Sequence, residues 1–388
     1  MPDDAGNAAI RVMLSSNASV AEVGATGAWS MLDPQRRLMV RVGTGDRWLI
    51  ERSGDRLRAA RGAVRTGWVD GPIYASMTSD GFLNFNGRRY RGEVVFRAAP
   101  GGILVLNRVR IDDYLLGVVP LEIGTRPAAE SAAVQAQAVT ARSYAYTHLD
   151  AGDARGYDVT ATVADQVYGG VDVETGIASR AIASTRGLVL KYGGRVVNAP
   201  YSSSCGGQTA AASEVWRSGD EPYLKRVSDR IEGTDRFYCS IAPRFSWTKT
   251  FAQADLVATI NRYLGTVTTV PGNTPGRPRS IAVASRTPSG RVGELKITTD
   301  RGTFTVQGND VRYVLRGGGG EILNSTYFSV DSSQERDGLL TSLTLRGNGY
   351  GHGIGMCQWG AIGRARAGHD FRAILSAYYP GTTVGPLR

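Results

Sequence analysis

Through the first hundred residues apolar and polar positions alternate over short runs, the period of half-buried strands. Ile10-Arg11-Val12-Met13-Leu14, Leu38-Met39-Val40-Arg41-Val42 and Trp48-Leu49-Ile50 carry this alternation, as does the longer segment Arg89-Tyr90-Arg91-Gly92-Glu93-Val94-Val95-Phe96. Asp80-Gly81, Asn86-Gly87 and Pro100-Gly101-Gly102 punctuate the runs with turn chemistry. A further strand is predicted over 102–109, and then the period changes. From about 127 to 149 the pattern is helical: Pro127 suits a first turn, Glu130 the positive end, and alanines fill the body. Gln135, Val139, Arg142 and Tyr146 fall on one face of that helix. Strands resume over 187–192, 195–201, 280–284, 294–298 and 341–346, and 268–279 reads as an exposed loop rich in Pro, Gly, Thr and Asn. Two short helices close the chain, near 356–367 and 370–379, with Gly368 stopping the first, Asp370 capping the second and Pro380-Gly381 ending it. These patterns predict an α+β fold, β-rich with mostly antiparallel sheets and a few helices. Residues 1–87 form a β-rich N-terminal section and residues 88–388 carry the candidate chemistry.

Composition narrows the class. The 388 residues are 42% hydrophobic and 21% charged, enough to build a core and too apolar for a disordered chain. A net charge of +10 admits nucleic acid, an anionic membrane or an acidic polymer as partners. Only four of the basic residues are lysines, and the arginines are scattered, not gathered in a stripe or tail. With no nucleic-acid module in view, no nucleic-acid partner is expected. There is no transmembrane run of 18 apolar residues, and the start Met1-Pro2-Asp3-Asp4-Ala5-Gly6 lacks the basic and apolar regions of a signal peptide.

Three segments could carry chemistry. In Gly117-Val118-Val119-Pro120-Leu121-Glu122 a lone carboxylate follows an apolar run and precedes the predicted helix. Apolar surroundings would raise its pKa as a general acid requires, whereas a helix N-terminus would lower it. Read alone, Glu122 is an ordinary acid at a helix start. Tyr201-Ser202-Ser203-Ser204-Cys205-Gly206-Gly207-Gln208-Thr209 is either a hydrogen-bonded turn or a loop presenting N–H and hydroxyl groups to a polar ligand. In Gly347-Asn348-Gly349-Tyr350-Gly351-His352-Gly353-Ile354-Gly355-Met356-Cys357-Gln358-Trp359-Gly360, alternating glycines surround one histidine and permit close backbone approach. No second histidine or acid sits at ligand spacing from His352, so no metal and no cofactor is expected. Cys205 and Cys239 are either two buried thiols or, in an oxidising compartment, a disulfide worth ~3–4 kcal/mol in the chain-entropy model.

Taken in order, these segments resemble the SpoIID/LytB family of stage II sporulation protein D-like and amidase-enhancer-like proteins. The resemblance runs through Val109-Arg110-Ile111-Asp112-Asp113-Tyr114-Leu115-Leu116 into the Glu122 segment, then Gln137-Ala138-Val139-Thr140-Ala141-Arg142-Ser143-Tyr144-Ala145 and Asp165-Gln166-Val167-Tyr168-Gly169-Gly170. It continues with Thr185-Arg186-Gly187-Leu188-Val189-Leu190, the serine turn, Pro222-Tyr223-Leu224, the histidine loop and Tyr378-Tyr379-Pro380-Gly381-Thr382. The resemblance implies an extracytoplasmic role on peptidoglycan glycan strands, and hence an export signal trimmed from ahead of this chain. It implies a lytic transglycosylase with Glu122 as the catalytic acid, cutting strands already stripped of peptides to leave 1,6-anhydro-muramyl ends. Gln137, Arg142, Gln166, Tyr168, Ser202, Ser203, Thr209, His352 and Gln358 match motif positions and become the expected substrate contacts. The modifier branch implies an alternative, a glycan-binding protein that stimulates a partner cell-wall amidase without cutting. Two departures stand out: Gln135 where relatives often carry lysine, and Cys357 where serine is common.

Overall fold

The computed structural model describes residues 8–149, 155–216, 219–334 and 337–387. With 25% of residues helical, 37% in strands and mostly antiparallel pairing, the chain is α+β, as the pattern predicts. It divides into two compact units, one made of residues 1–198 with 384–388 and the other of residues 199–383.

In the first unit a seven-stranded sheet runs in the order Val159–Thr160, Ala9–Ala18, Gly102–Arg110, Glu93–Ala99, Ile73–Met77, Trp29–Leu32, Leu38–Val42. Ile10 and Val12, Val94 and Phe96, Ile103 and Val105 are all fully buried, the every-second-residue signature of a face turned to the core. The N-terminal section and the first motif-bearing strand therefore share one sheet. A second sheet holds the remaining N-terminal strands, including the hairpin of Leu83–Phe85 and Arg88–Tyr90 closed by Asn86 and Gly87, both at positive φ. The run 89–96, which alternates as one strand, is two. Gly92 breaks it at φ 73°, where a Cβ would lie 2.3 Å from the carbonyl oxygen of Arg108.

Three helices follow: α1 (Ile111–Ile123), α2 (Ser131–Thr147) and α3 (Gly176–Ser184). Helix α2 is the alanine-rich helix expected. Helix α1 is not: the apolar run that precedes Glu122 is itself helical, with Asp112 and Asp113 in its first turn and Pro120 inside it. Proline removes the donor for the carbonyl four residues back, so this helix rests on burial and not on propensity. Ile111, Tyr114, Leu115, Val118 and Val119 are fully buried.

The second unit is built on two three-stranded antiparallel sheets. Ser246–Ala252, Leu340–Asn348 and Phe328–Gln334 form one; Pro278–Arg286, Val292–Thr299 and Gly302–Gln307 form the other. Phe251, Leu256, Ile260, Leu295, Ile297 and Leu343 fill their common core. Elsewhere in this unit Tyr201–Ser202 pairs in parallel with Met356–Cys357. The helices Gln358–Arg366 and Phe371–Tyr378 follow, the second capped as expected by the Asp370 carboxylate accepting from the Ala373 N–H at 2.8 Å. No helix among the described residues is long and apolar enough to cross a membrane.

Candidate functional site

The site residues fall into two clusters, one in each unit. In the first unit Glu122 sits in the last turn of α1, half-buried, beside the exposed Leu121. The sequence placed this carboxylate ahead of a helix; it ends one, where the backbone dipole presents its negative end and disfavours a carboxylate. An opposing contact comes from the 165–170 motif, whose Val167 N–H donates to Glu122 Oε1 at 2.8 Å. Gly117 seats that motif. A Cβ there would stand 2.5 Å from the Tyr168 ring and 2.8 Å from the Gly170 carbonyl, while the Gly117 carbonyl accepts the Gly169 N–H.

Around Glu122 stand groups that motif matching alone did not single out. Burial raises the Tyr114 hydroxyl well above its ordinary value, with the charges of Tyr168 and Glu122 adding to the effect, and the hydroxyl donates to Gln166 Oε1 at 3.2 Å. Burial likewise raises Tyr144, with the Asp165 and Glu122 carboxylates pushing the same way. Both tyrosines therefore stay neutral donors. Asp165 is committed on both oxygens: Oδ1 accepts from Tyr144 at 3.0 Å, and Oδ2 accepts from the Thr160 amide and hydroxyl, each at 2.9 Å.

The other expected residues of this unit are interior. Arg142 is fully buried; its Nε donates to Asp112 at 2.8 Å and its Nη atoms to the carbonyls of Thr185, Leu188 and Ile182. Such a guanidinium ties α2 to α1 and to the turn after α3. Gln137 and Gln166 are also fully buried, Gln166 donating to the Ala141 carbonyl at 3.4 Å. The Tyr168 hydroxyl is buried against Asn107 Oδ1 at 2.7 Å.

In the second unit the serine turn and the histidine loop are laced together through their backbones. Ser204 and Tyr350 exchange N–H···O bonds at 3.0 and 2.8 Å, the Trp359 N–H donates to the Ser203 carbonyl at 3.0 Å, and the Ala210 N–H to the Gly353 carbonyl at 2.8 Å. The glycines make this possible: at Gly355, with φ 69°, a Cβ would lie 2.0 Å from the Pro200 carbonyl oxygen. Ser202 Oγ accepts the Gly353 N–H at 3.2 Å. His352 stands on this seam, half-buried, with Nε2 against the Tyr201 carbonyl at 2.8 Å and Nδ1 accepting the Ile354 N–H at 3.0 Å. That pairing fixes the Nε2–H tautomer. Burial takes the imidazole down to about 4, the Arg312 charge adding to it, so the ring is neutral near pH 7. The Trp216 ring, not anticipated from sequence, lies 5.1 Å from it between centroids. Thr209 is fully buried, its Oγ1 accepting from the Val227 N–H at 2.8 Å. Ser203 is half-buried, and Gln358, at the head of its helix, is buried.

A family model described as "Stage II sporulation protein" matches residues 99–192, and one described as "Domain of unknown function (DUF8618)" matches 234–355. The chain is 31% identical to an "Uncharacterized protein" of Brachyspira hyodysenteriae, over 79% of this chain and 75% of that one. It is 32% identical to the "Amidase enhancer" of Bacillus subtilis over 78% of its own length, but spans only 45% of that longer protein. With the "Stage II sporulation protein D" of Bacillus subtilis the identity is 28%, over 76% of this chain and 82% of the relative. The chain belongs to the SpoIID/LytB family.

Proposed function

We propose that the protein acts outside the cytoplasm on the cell wall, as a lytic transglycosylase that cuts peptidoglycan glycan strands with Glu122 as its acid. The observation that carries this reading is the seat of Glu122, one carboxylate held by the Val167 N–H among neutral tyrosines at the negative end of α1. A glycoside hydrolase needs a second carboxylate to attack or to activate water, and Asp165, which acts with Glu122 on the same two tyrosines, has both oxygens engaged. A lytic transglycosylase needs only one. Glu122 protonates the departing glycosidic oxygen, then accepts the proton of the substrate's own C6 hydroxyl as that oxygen closes on the anomeric carbon. Membership of the family supports the same assignment. Of the expected contacts, Gln137, Arg142 and Gln166 are fully buried in the first unit and Thr209 in the second, while Ser203 and His352 of the second unit are half-buried.

Mass spectrometry of peptide-free glycan strands after incubation tests this reading. The wild type is expected to release fragments ending in 1,6-anhydro-muramic acid, one water lighter than hydrolysed ends. Glu122→Gln is expected to lose about 100-fold or more of that rate, the contribution of a positioned general acid. Identical product profiles from the two proteins overturn the enzyme reading. The relative named as an amidase enhancer favours a second reading, a glycan-bound protein that stimulates a partner amidase. In that case Glu122→Gln stimulates the amidase as well as the wild type does.

A further inference from the structure

Three cysteines and one aspartate from separate parts of the second unit meet in its interior. Cys205 closes the serine turn, Asp229 and Cys239 lie on the following segment, and Cys357 ends the histidine loop. All four are buried, and their ligand atoms lie within 4.8 Å of one another. The Cys205 and Cys239 sulfurs are 3.6 Å apart and unbonded, and Cys205 Sγ is 4.0 Å from Asp229 Oδ2. A disulfide requires about 2.05 Å. Four ligands tetrahedrally placed around zinc, with Zn–S near 2.3 Å, put sulfurs about 3.7–3.8 Å apart. The Cys205–Cys239 spacing fits such a shell and excludes a disulfide between these two sulfurs as they stand. We propose that Cys205, Cys239, Cys357 and Asp229 bind one zinc(II) ion in a closed, structural site.

The surroundings argue for a charged centre. Cys357 Sγ accepts the backbone N–H groups of Cys205 and Gly360 at 3.2 and 3.3 Å, the kind of outer contact that orients a metal-bound thiolate. Asp229 Oδ2 accepts the Cys239 N–H at 2.9 Å and faces the sulfurs, while Oδ1 takes the Tyr378 hydroxyl at 2.6 Å and Arg364 at 3.4 Å. Backbone comes close to the cluster at Gly360, where a Cβ would lie 2.4 Å from Asp229 Oδ2 and 2.0 Å from the Tyr378 hydroxyl. Beside the turn lies Arg291, also buried, which donates to the carbonyls of Cys205 and Gln208 at 2.9 and 3.0 Å. Among the described residues its Nε and Nη1 find no hydrogen-bond partner, an expensive state for a buried cation. Three thiolates and a carboxylate around a divalent ion carry a net charge of minus two, and the guanidiniums of Arg364 and Arg291 balance it. Soft sulfur ligands with one carboxylate oxygen select zinc over calcium or magnesium. Four protein ligands leave no open position, so the ion pins the serine turn to the histidine loop and takes no part in bond cleavage. Zinc entry releases the thiol protons to solvent. The inference is independent of the glycan-cleaving reading.

The test uses the full chain, untagged, produced with zinc(II) in the medium and purified without chelator. Elemental analysis is expected to give about one zinc per chain, unchanged in Glu122→Gln. Replacement by cobalt(II) is expected to give the intense visible bands and sulfur-to-cobalt charge transfer of a tetrahedral thiolate site. Cys357→Ser and Asp229→Asn are each expected to lose zinc to a competing chelator at least tenfold faster than wild type. Because a buried variant can fail to fold, the wild-type measurements stand by themselves. Reduced wild-type protein that takes up neither zinc nor cobalt stoichiometrically overturns the proposal. So does a metal-free protein two hydrogens lighter, with a Cys205–Cys239 disulfide in its peptide map.

Discussion

His352 shows how a single side chain is set by its surroundings. Its ring donates to one backbone oxygen and accepts from one backbone N–H, both on the seam between the serine turn and the histidine loop. Burial and the Arg312 and Arg291 charges hold its folded pKa near 4, below the ordinary value of 6.5, against the hydrogen bond to Tyr201. Between those values the unfolded chain binds a proton that the native one does not. The stabilisation is therefore complete above about pH 6.5 and is lost as pH falls toward 4. Urea denaturation of wild type and His352→Gln over that range checks this, since other titrating groups cancel in the difference. The stability gap is expected to be widest near neutrality and to narrow toward pH 4; a gap that ignores pH means the ring is not held neutral by burial. Arg142 teaches the complementary lesson. Its motif position was legible in the sequence, but its commitment to Asp112 and three carbonyls was not. A motif marks a side chain that the fold needs as readily as one that a ligand needs.

At the scale of elements, local chemistry was readable wherever it was sufficient. The alanine body of α2, the Asn86-Gly87 hairpin and the Asp370 cap needed only near neighbours in the chain. Helix α1 escaped because Gly117 and Pro120 argue against a helix locally, and only the packing of its buried face reverses that. Gly117 is the test of that packing. An added methyl there meets the Tyr168 ring and the Gly170 carbonyl, and the latter cannot swing aside. Gly117→Ala is expected to destabilise the first unit by about 1–3 kcal/mol, the usual range for overpacking, although alanine is the better helix former. By moving the segment whose Val167 N–H holds Glu122, it should also lower the proposed glycan cleavage more than a distant variant of equal stability does. Thermal melts and the anhydro-end assay on one preparation check both. The four-residue thiol and carboxylate cluster was illegible for a different reason, since its members come from segments up to about 150 positions apart and no local spacing announces them.

Across the whole chain, order in sequence and order in space part company at the C-terminus. After the second unit the chain returns to the first, where Thr383–Pro386 joins the small sheet of Arg195–Val196 and Leu188–Tyr192 as its outer strand. The Leu387 N–H donates to the Gly187 carbonyl at 3.0 Å. Residues 384–388 thus complete a unit whose other members end at 198, and residues 199–383 are an insertion within it. Nothing in the alternation of so short a strand betrays a partner almost two hundred positions upstream, because register between distant strands is set by packing and not by local pattern. Removal of residues 383–388 takes no side chain from the core of the second unit but leaves Leu188–Tyr192 with an open edge. Hydrogen exchange of the truncated chain is therefore expected to speed up at the amides of 187–192 and in the part of α2 packed on that strand, where the Leu190 N–H donates to Ser143 Oγ. Exchange in the strands Leu340–Asn348 and Val292–Thr299 should stay at the full-length rate. If exchange changes in neither unit, the return strand is no more than a tail, and if both units speed up together the chain unfolds as one cooperative body; if only the first unit responds, its last strand closes a fold that opened at Ala9.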